Sequence, residues 1–330
     1  MWGFLKEVIG QDLTRITFPV AFNEPLSLLQ RAAEDMEYSS LLDQAASCAD
    51  SEQKLLYVAA FAISNYTATC HRLGKPFNPL LHETFEYIQP RDAERNCAGF
   101  RYVAEQVGHH PPVSAIHAEA LPAATGETPA WTFWSDWEPK MSLSGARCNV
   151  VADGVSQCRF AETGDHFSWS KVTTQVNGII VGTMAITHFG EMKIVNHKTG
   201  ESCVIEFQQR GLWDFSPDQA RLVGVLRSQS GVARYALKGS WDSVNGHLCA
   251  AKAAGDGGKV VMTPGKSPMP LTSTLLPHSA RSRCIIRVRV LPLCTDEEPA
   301  ELFRVAARPE DSARQYNFTE FAIGLNQQPG

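Results

Sequence analysis

The sequence predicts a mainly β protein whose helices are confined to the N-terminal part and whose strands form one large antiparallel sheet curled into a barrel. Three observations carry this. Apolar residues recur at helical spacing only before Gly74. From Phe85 onward short β-branched and aromatic runs take over, and turn signals follow one another too closely for helical crossovers. A sheet of that size leaves its edges open to other chains unless it curls toward closure, so a barrel is the economical arrangement.

Taken in order, Trp2, Phe4, Leu5, Val8, Ile9 and Leu13 stand near helical spacing, with Lys6, Gln11 and Asp12 on the other side, until Pro19 ends the pattern. This amphipathic segment either lies on its own core or serves as a movable flap or membrane-touching helix, a place that suits Trp and Phe near a terminus. Asn23 reads as an N-cap, with Glu24 and Pro25 in the first turn and Leu26, Leu29, Ala33 and Met36 along one stripe. A second start falls at Asp50, with Gln53 three residues on in a capping-box-like opening. Leu55, Val58, Ala59, Ala62 and Tyr66 follow, and Gly74 is the expected stop.

Beyond Phe85, strands are expected around Phe100 to Val107, Cys203 to Phe207 and Val232 to Leu237. Turns fall at Asp153-Gly154, Thr163-Gly164-Asp165, Asn177-Gly178, Thr199-Gly200 and Ser230-Gly231. Residues 250–300 break the rhythm with a Gly-rich stretch, Pro264, Pro268, Pro270 and Pro277, and then Arg281, Arg283, Arg287 and Arg289 alternating with aliphatic residues. They read as a flexible insertion with one edge strand, its basic run either a solvated face or a contact for anionic lipid or protein.

Composition bounds the function. The 330 residues are 44% hydrophobic, enough for a sizeable core, and 30 Lys and Arg against 35 Asp and Glu give a net charge of −5. That balance argues against a protein gripping nucleic acid through its whole surface. Nine cysteines without a Cys-x-x-Cys pair read as reduced cytosolic thiols, neither a zinc cage nor a disulfide framework. No apolar run reaches the roughly 18 residues of a membrane span, and Lys6 and Glu7 interrupt the start, so no signal peptide is expected. Membrane contact, if present, is peripheral.

Two patches carry the chemistry. Lys75-Pro76-Phe77-Asn78-Pro79-Leu80-Leu81-His82-Glu83-Thr84-Phe85-Glu86 is held extended by its prolines, which lets Lys75, Asn78 and nearby backbone N–H groups aim at one point. Glu105-Gln106-Val107-Gly108-His109-His110-Pro111-Pro112 ends a strand-like run. Adjacent histidines point to opposite faces of a regular strand, but the prolines after His109 and His110 force a departure that lets both rings converge. Paired imidazoles suit a phosphate dianion and need no metal. The competing readings are a purely structural pair and a metal site from His109, His110 and His117 with Glu105 or Glu119, which lacks any recognised ligand spacing. Nucleophile-elbow, phosphate-loop and dinucleotide fingerprints are all absent from the sequence, so no catalytic residue and no cofactor are expected.

Glu105 to Pro112 closely resembles the Glu-Gln-Val-Ser-His-His-Pro-Pro signature of the oxysterol-binding protein-related lipid-transfer family, and Lys75 to Glu86 resembles its Lys-Pro-x-Asn-Pro-x-Leu-Gly-Glu-Thr segment. The likeness extends through Gly10 to Thr14 with Asn23 to Leu26, Asp165 to Val172, His188 to Met192 and Gln315 to Ala322. It implies one domain over 1–330, an incomplete antiparallel barrel around a hydrophobic tunnel: lid 1–20, helical subdomain 23–74, barrel 75–249, atypical insertion 250–300 and C-terminal segment 301–330. Trp2, Phe4, Leu5, Val8, Ile9 and Leu13 would belong to the lid. Lys75, Asn78, His109 and His110, with the backbone near Leu81, would hold the headgroup of phosphatidylinositol 4-phosphate.

The implied activity is non-enzymatic: a sterol, the favoured second ligand, or a phospholipid is taken into the tunnel and exchanged for the phosphoinositide between membranes. The alternative is a lipid-sensing scaffold without net transport. The implied protein is a cytoplasmic monomer, peripherally membrane-associated, with no nucleic-acid partner. Two positions depart from the family pattern: Gly108 replaces Ser, at the expected loss of one hydroxyl, and His82 replaces Gly, which is expected to forbid a positive φ or crowd the entrance. The family also continues into a C-terminal Lys, Glu and Arg helix that completes the phosphoinositide site. Gly330 comes before it, so the 301–330 segment reads as truncated.

Overall fold

In the computed structural model the first helix opens at Ser27 rather than Asn23. Ser27 and Gln30 form a reciprocal capping box: Gln30 N–H donates to Ser27 Oγ at 3.3 Å and Ser27 N–H to Gln30 Oε1 at 2.9 Å. Asn23–Ser27 is instead a strand, β1, parallel to β2, Lys75–Phe77, with Asn23 Nδ2 donating to the Pro76 carbonyl. The structure describes residues 20, 23–70, 72–92, 97–122, 128–144, 147–178, 184–208, 221–241, 247–252, 300–301, 308–309, 312 and 316–327. The expected lid residues Trp2, Phe4, Leu5, Val8, Ile9 and Leu13 and the bulk of the 250–300 insertion lie outside them.

After α1, Leu28–Ala33, come α2, Ser40–Ser47, and α3, Ser51–Ser64. Asp50 caps α3 as expected, its carboxylate accepting the N–H groups of Glu52 and Gln53 at 2.8 and 3.1 Å. The stop is not Gly74. The helix ends at Ser64 and tightens into a 3-10 turn over Asn65–Thr69. Gly74 serves a different purpose, since a Cβ there would lie 2.8 Å from Glu24 Cβ, so only glycine lets the chain approach β1 this closely.

The strands follow as β3, Thr84–Gln89; β4, Phe100–His109; β5, Pro112–Ala120; β6, Trp131–Ser144; β7, Arg147–Asp153; β8, Ser156–Phe160; β9, His166–Trp169; β10, Thr173–Asn177; β11, Ala185–Asn196; β12, Ser202–Phe207; β13, Arg221–Arg227; β14, Ala233–Ser240; β15, His247–Lys252; and β16, Ala300–Glu301. All neighbours in this sheet are antiparallel, and the path runs β3-β4-β5-β6-β7-β10-β11-β12-β13-β14-β15-β16. It forks in the middle. The first half of β6 pairs with β8 and the second with β7, while β11 pairs first with β10 and then with β9. Among the described residues β3 and β16 do not pair, so the barrel is incomplete.

The helices cover one face of this sheet. Phe61 packs edge-on against Phe133 and Trp169, Tyr102 donates to the Leu29 carbonyl, and Trp131 donates to Asp43. α3 is buried nearly all round, including Lys54, which is 0% exposed. Its ammonium is matched by Asp165 at 2.7 Å and by Thr163. Burial raises the Asp165 carboxyl, and hydrogen bonds from Lys54, Thr163 and Asn196 more than offset that, holding it below the ordinary value. α4, Glu320–Gln327, closes the helical side through Phe318, Ala322 and Leu325. Among the described residues no helix is long and apolar enough to cross a membrane.

Beneath the helices, His188 is buried between Tyr66 and Trp241, with Thr69 Oγ1 at 2.7 Å from Nε2 and Thr174 Oγ1 at 3.0 Å from Nδ1. Burial, aided by Arg31 and Lys171, pushes its pKa down to about 3 from 6.5. The unfolded chain therefore takes up a proton below pH 6.5 that the folded chain refuses until about 3. Stability from this group is intact above 6.5 and falls by about 1.4 kcal/mol per unit through that window. Glu37 acts oppositely: burial raises it to about 7, so the folded state binds its proton first as pH falls. The expected result is that His188→Gln removes this one-proton loss below pH 6.5, so the variant gains stability relative to the parent as pH falls. Denaturation midpoints at pH 7, 6, 5 and 4 measure the difference, and parallel curves would show that His188 is not the titrating group.

Candidate binding site

The β4–β5 hairpin carries the paired histidines at its tip. Its register runs in step from Phe100 opposite Ala120 to Gln106 opposite Ser114 and then slips. Gly108 faces Val113 and His109 faces Pro112, so Val107 is the extra residue of a β-bulge. Gln106 secures it: the buried side chain donates from Nε2 to the Gly108 carbonyl at 2.8 Å and accepts from Ser114 Oγ at 2.6 Å. Beyond the bulge the rings of His109 and His110 meet at 4.7 Å between centroids, inclined by 61°, and both side chains are exposed. The convergence expected from the two prolines thus comes from bulge and turn together. Gly108 is more than a missing hydroxyl, because a Cβ there would stand 3.1 Å from the Pro111 carbonyl and 3.3 Å from Val113 Cβ.

Lys75 and Asn78 belong to the segment that leads into β3, which pairs with β4 from Thr84 opposite Glu105 onward. Lys75 Nζ donates to Asn78 Oδ1 at 2.9 Å, and partial burial lowers the pKa of its ammonium. The segment is anchored from behind. Arg72 is buried and reaches Glu24 Oε1 at 2.7 Å and Glu34 Oε2 at 2.5 Å, while the Phe318 ring lies 4.4 Å from its guanidinium carbon. Leu80 to Glu83 then form a tight turn, Glu83 N–H donating to the Leu80 carbonyl at 3.0 Å.

His82 occupies the left-handed position of that turn, with φ of 65°. The expectation that it forbids a positive φ is therefore corrected. Histidine is among the non-glycine residues that tolerate this region, at a cost of roughly 1–2 kcal/mol. Its N–H donates to the Gln106 carbonyl at 2.9 Å and its Nδ1 lies 3.2 Å from Glu105 Oε1. These contacts set the turn carrying Leu81 against β4, so the structure brings both sequence patches to the same end of the β3–β4 pair.

His117 does not join them. It stands within β5 opposite Val103, and among the described residues no three His, Cys, Asp or Glu side chains gather to hold a metal. Two cavities, of about 470 and 640 Å³, share Asp43 and open on the helical flank near Ala98, at the other end of β4. They take no part in this rim. Sequence reasoning missed the residues behind the site: Gln106 and Ser114, signalled only by the loss of strict alternation at Val107-Gly108, and Arg72 with its two glutamates, which carry no local signal.

Comparison with known proteins places this geometry. The oxysterol-binding protein family profile matches residues 1–329. Mouse oxysterol-binding protein 2 is 35% identical over 329 residues, covering 99% of this chain and 32% of that protein, so the chain spans about a third of that relative's length. The Osh1 ORD domain in complex with cholesterol superposes with a TM-score of 0.74 at 33% identity, covering 100% of this chain and 68% of the other. The Osh3 ORD from Saccharomyces cerevisiae in complex with PI(4)P gives 0.70 at 26% identity, covering 99% and 71%. The incomplete antiparallel barrel with N-terminal helices is thus the fold of these neighbours as well. The chain belongs to the oxysterol-binding protein family.

Proposed function

We propose that this domain is a non-enzymatic lipid carrier that takes a sterol, or a phospholipid in its place, into the interior of its open barrel and exchanges it for phosphatidylinositol 4-phosphate. The observation that carries this is the exposed histidine pair converging at the hairpin tip, on a fold whose neighbours were crystallised with cholesterol and with PI(4)P. Lys75, Asn78, His109 and His110, with the backbone near Leu81, hold the phosphorylated headgroup. The protein works as a monomer at cytoplasmic membrane surfaces.

The physics asks for this division. An acyl chain of about 18 carbons costs on the order of 14 kcal/mol to place in water, at about 0.8 kcal/mol per CH₂, so a carrier must enclose it. The phosphates cannot follow it into a dry interior, where an unpaired charge is prohibitive, and they stop at a hydrogen-bonding cationic rim.

Transfer between two populations of labelled liposomes tests the proposal. The chain should move sterol from donor to acceptor, and faster when the acceptor contains phosphatidylinositol 4-phosphate. Stoichiometric lipid binding without net transport would replace the carrier by a lipid-sensing scaffold.

A further inference from the structure

We propose that α4 and its entry, residues 316–319, form a strained clasp that opens and closes over Glu37 and Arg72, with the charge of Glu37 as its trigger. The backbone shows the strain. Tyr316 and Asn317 are consecutive left-handed residues, with φ of 55° and 58°, a conformation that glycine adopts freely and tyrosine rarely. The Tyr316 ring is 53% exposed, so its own burial does not hold it there. The surroundings do. Phe318 lies 4.4 Å from the Arg72 guanidinium carbon, Asn317 N–H donates to the Ser312 carbonyl at 2.7 Å, and Gln30 Nε2 donates to the Leu325 carbonyl at 3.3 Å.

Thr319 joins this spring to a titratable group. Its Oγ1 caps α4 by accepting the Ala322 N–H at 3.2 Å and donates to Glu37 Oε2, also at 3.2 Å. Around Glu37 stand Glu34 on the preceding 3-10 turn, Arg72 before β2, and Arg308 and Thr319 on the C-terminal segment. Both arginines are engaged elsewhere. Arg72 holds Glu24 and Glu34, while Arg308 donates through Nη2 to the carbonyls of Thr67 and Ala68 at 2.9 and 3.4 Å, its buried Nε and Nη1 left without partners. Among the described residues Glu37 therefore has no ion pair, and ionising it behind the closed clasp leaves a carboxylate supported by one hydroxyl. Burial, joined by Glu34, outweighs Thr319, Arg308 and Arg72 and raises its pKa to about 7 from 4.5. Opening returns the carboxyl toward water and its ordinary value, so the closed form holds the proton more tightly. The clasp is tightest below pH 4.5, loosens as pH rises toward 7 and levels off above it. Opening also takes Phe318 off Arg72, the residue that anchors the segment carrying Lys75.

Amide exchange of Ala322 and Ile323 in the full chain, corrected for its intrinsic pH dependence, reads the opening constant, because their N–H groups are bound by Thr319 Oγ1 and the Thr319 carbonyl. The constant should rise about fivefold from pH 6 to 7 and by less than about twofold from 7 to 8. Glu37→Gln, neutral and of the same shape, should keep it flat across this range. Tyr316→Gly should open about fivefold less often than Tyr316→Ala at every pH, since both lack the ring and only glycine is free of the left-handed strain. A flat parent profile, or the same rise in Glu37→Gln, overturns the trigger. Equal opening of the Gly and Ala variants overturns the spring. Exchange of both amides at the pace of the sheet amides throughout overturns the clasp itself, because α4 then opens only with the whole fold.

Discussion

Replacing His109 and His110 together by alanine is expected to lower extraction of phosphatidylinositol 4-phosphate by about a hundredfold or more while leaving sterol uptake within about twofold. The size follows from two hydrogen bonds to a charged phosphate, each contributing about 1.5–3 kcal/mol, where 1.4 kcal/mol is a factor of ten. The selectivity follows from position. Both rings stand exposed at the hairpin tip, outside the apolar cluster formed by the helices and the inner face of the sheet. Their removal strands no buried partner, so stability should change by less than about 0.5 kcal/mol. The bulge that aims them is held by Gln106 and Ser114, which the substitution leaves in place. Extraction of each lipid from donor vesicles, with a denaturation midpoint to show folding, decides the matter. Equal loss of both ligands by a folded variant would make the pair structural.

What the sequence reveals depends on how far the cause of each feature lies along the chain. Asp50 is read correctly because its carboxylate caps amides two and three residues away. Asn23 is misread because its ladder partner, Lys75, comes from a distant segment, and this pairing overrides a local preference for a helix start. The antiparallel meander is legible from turn residues. The fork at β6 and β11 is not, because each long strand changes partner midway without any change in composition. The histidine pair is visible as residue types, whereas its convergence depends on a register slip that only the partner strand defines.

The anchor behind Lys75 gives the largest expected change in stability. Arg72→Leu should lower the unfolding free energy by about 3–5 kcal/mol, the cost of leaving a buried charge without its partner, out of a total of roughly 5–15 kcal/mol. The two glutamates do not suffer equally. Glu34 keeps Arg31 at 2.5 Å, while Glu24, 1% exposed, loses the guanidinium that holds its Oε1 at 2.7 Å. Glu24→Gln added to Arg72→Leu should therefore restore more stability than Glu34→Gln added to it, which urea denaturation of the variants measures. A cost under about 1 kcal/mol for Arg72→Leu, or equal rescue by both glutamines, would mean that the ion pairs do not bear the load. The same contacts join three distant pieces of chain: Glu24 in β1, Arg72 just before β2, and Phe318 next to α4. With Gly74 pressed against Glu24, the path of β2 is fixed from behind, and with it the position of Lys75. The rescued double variant should accordingly regain stability sooner than headgroup affinity, because glutamine and leucine can fill the site without setting the angle at which Lys75 leaves it.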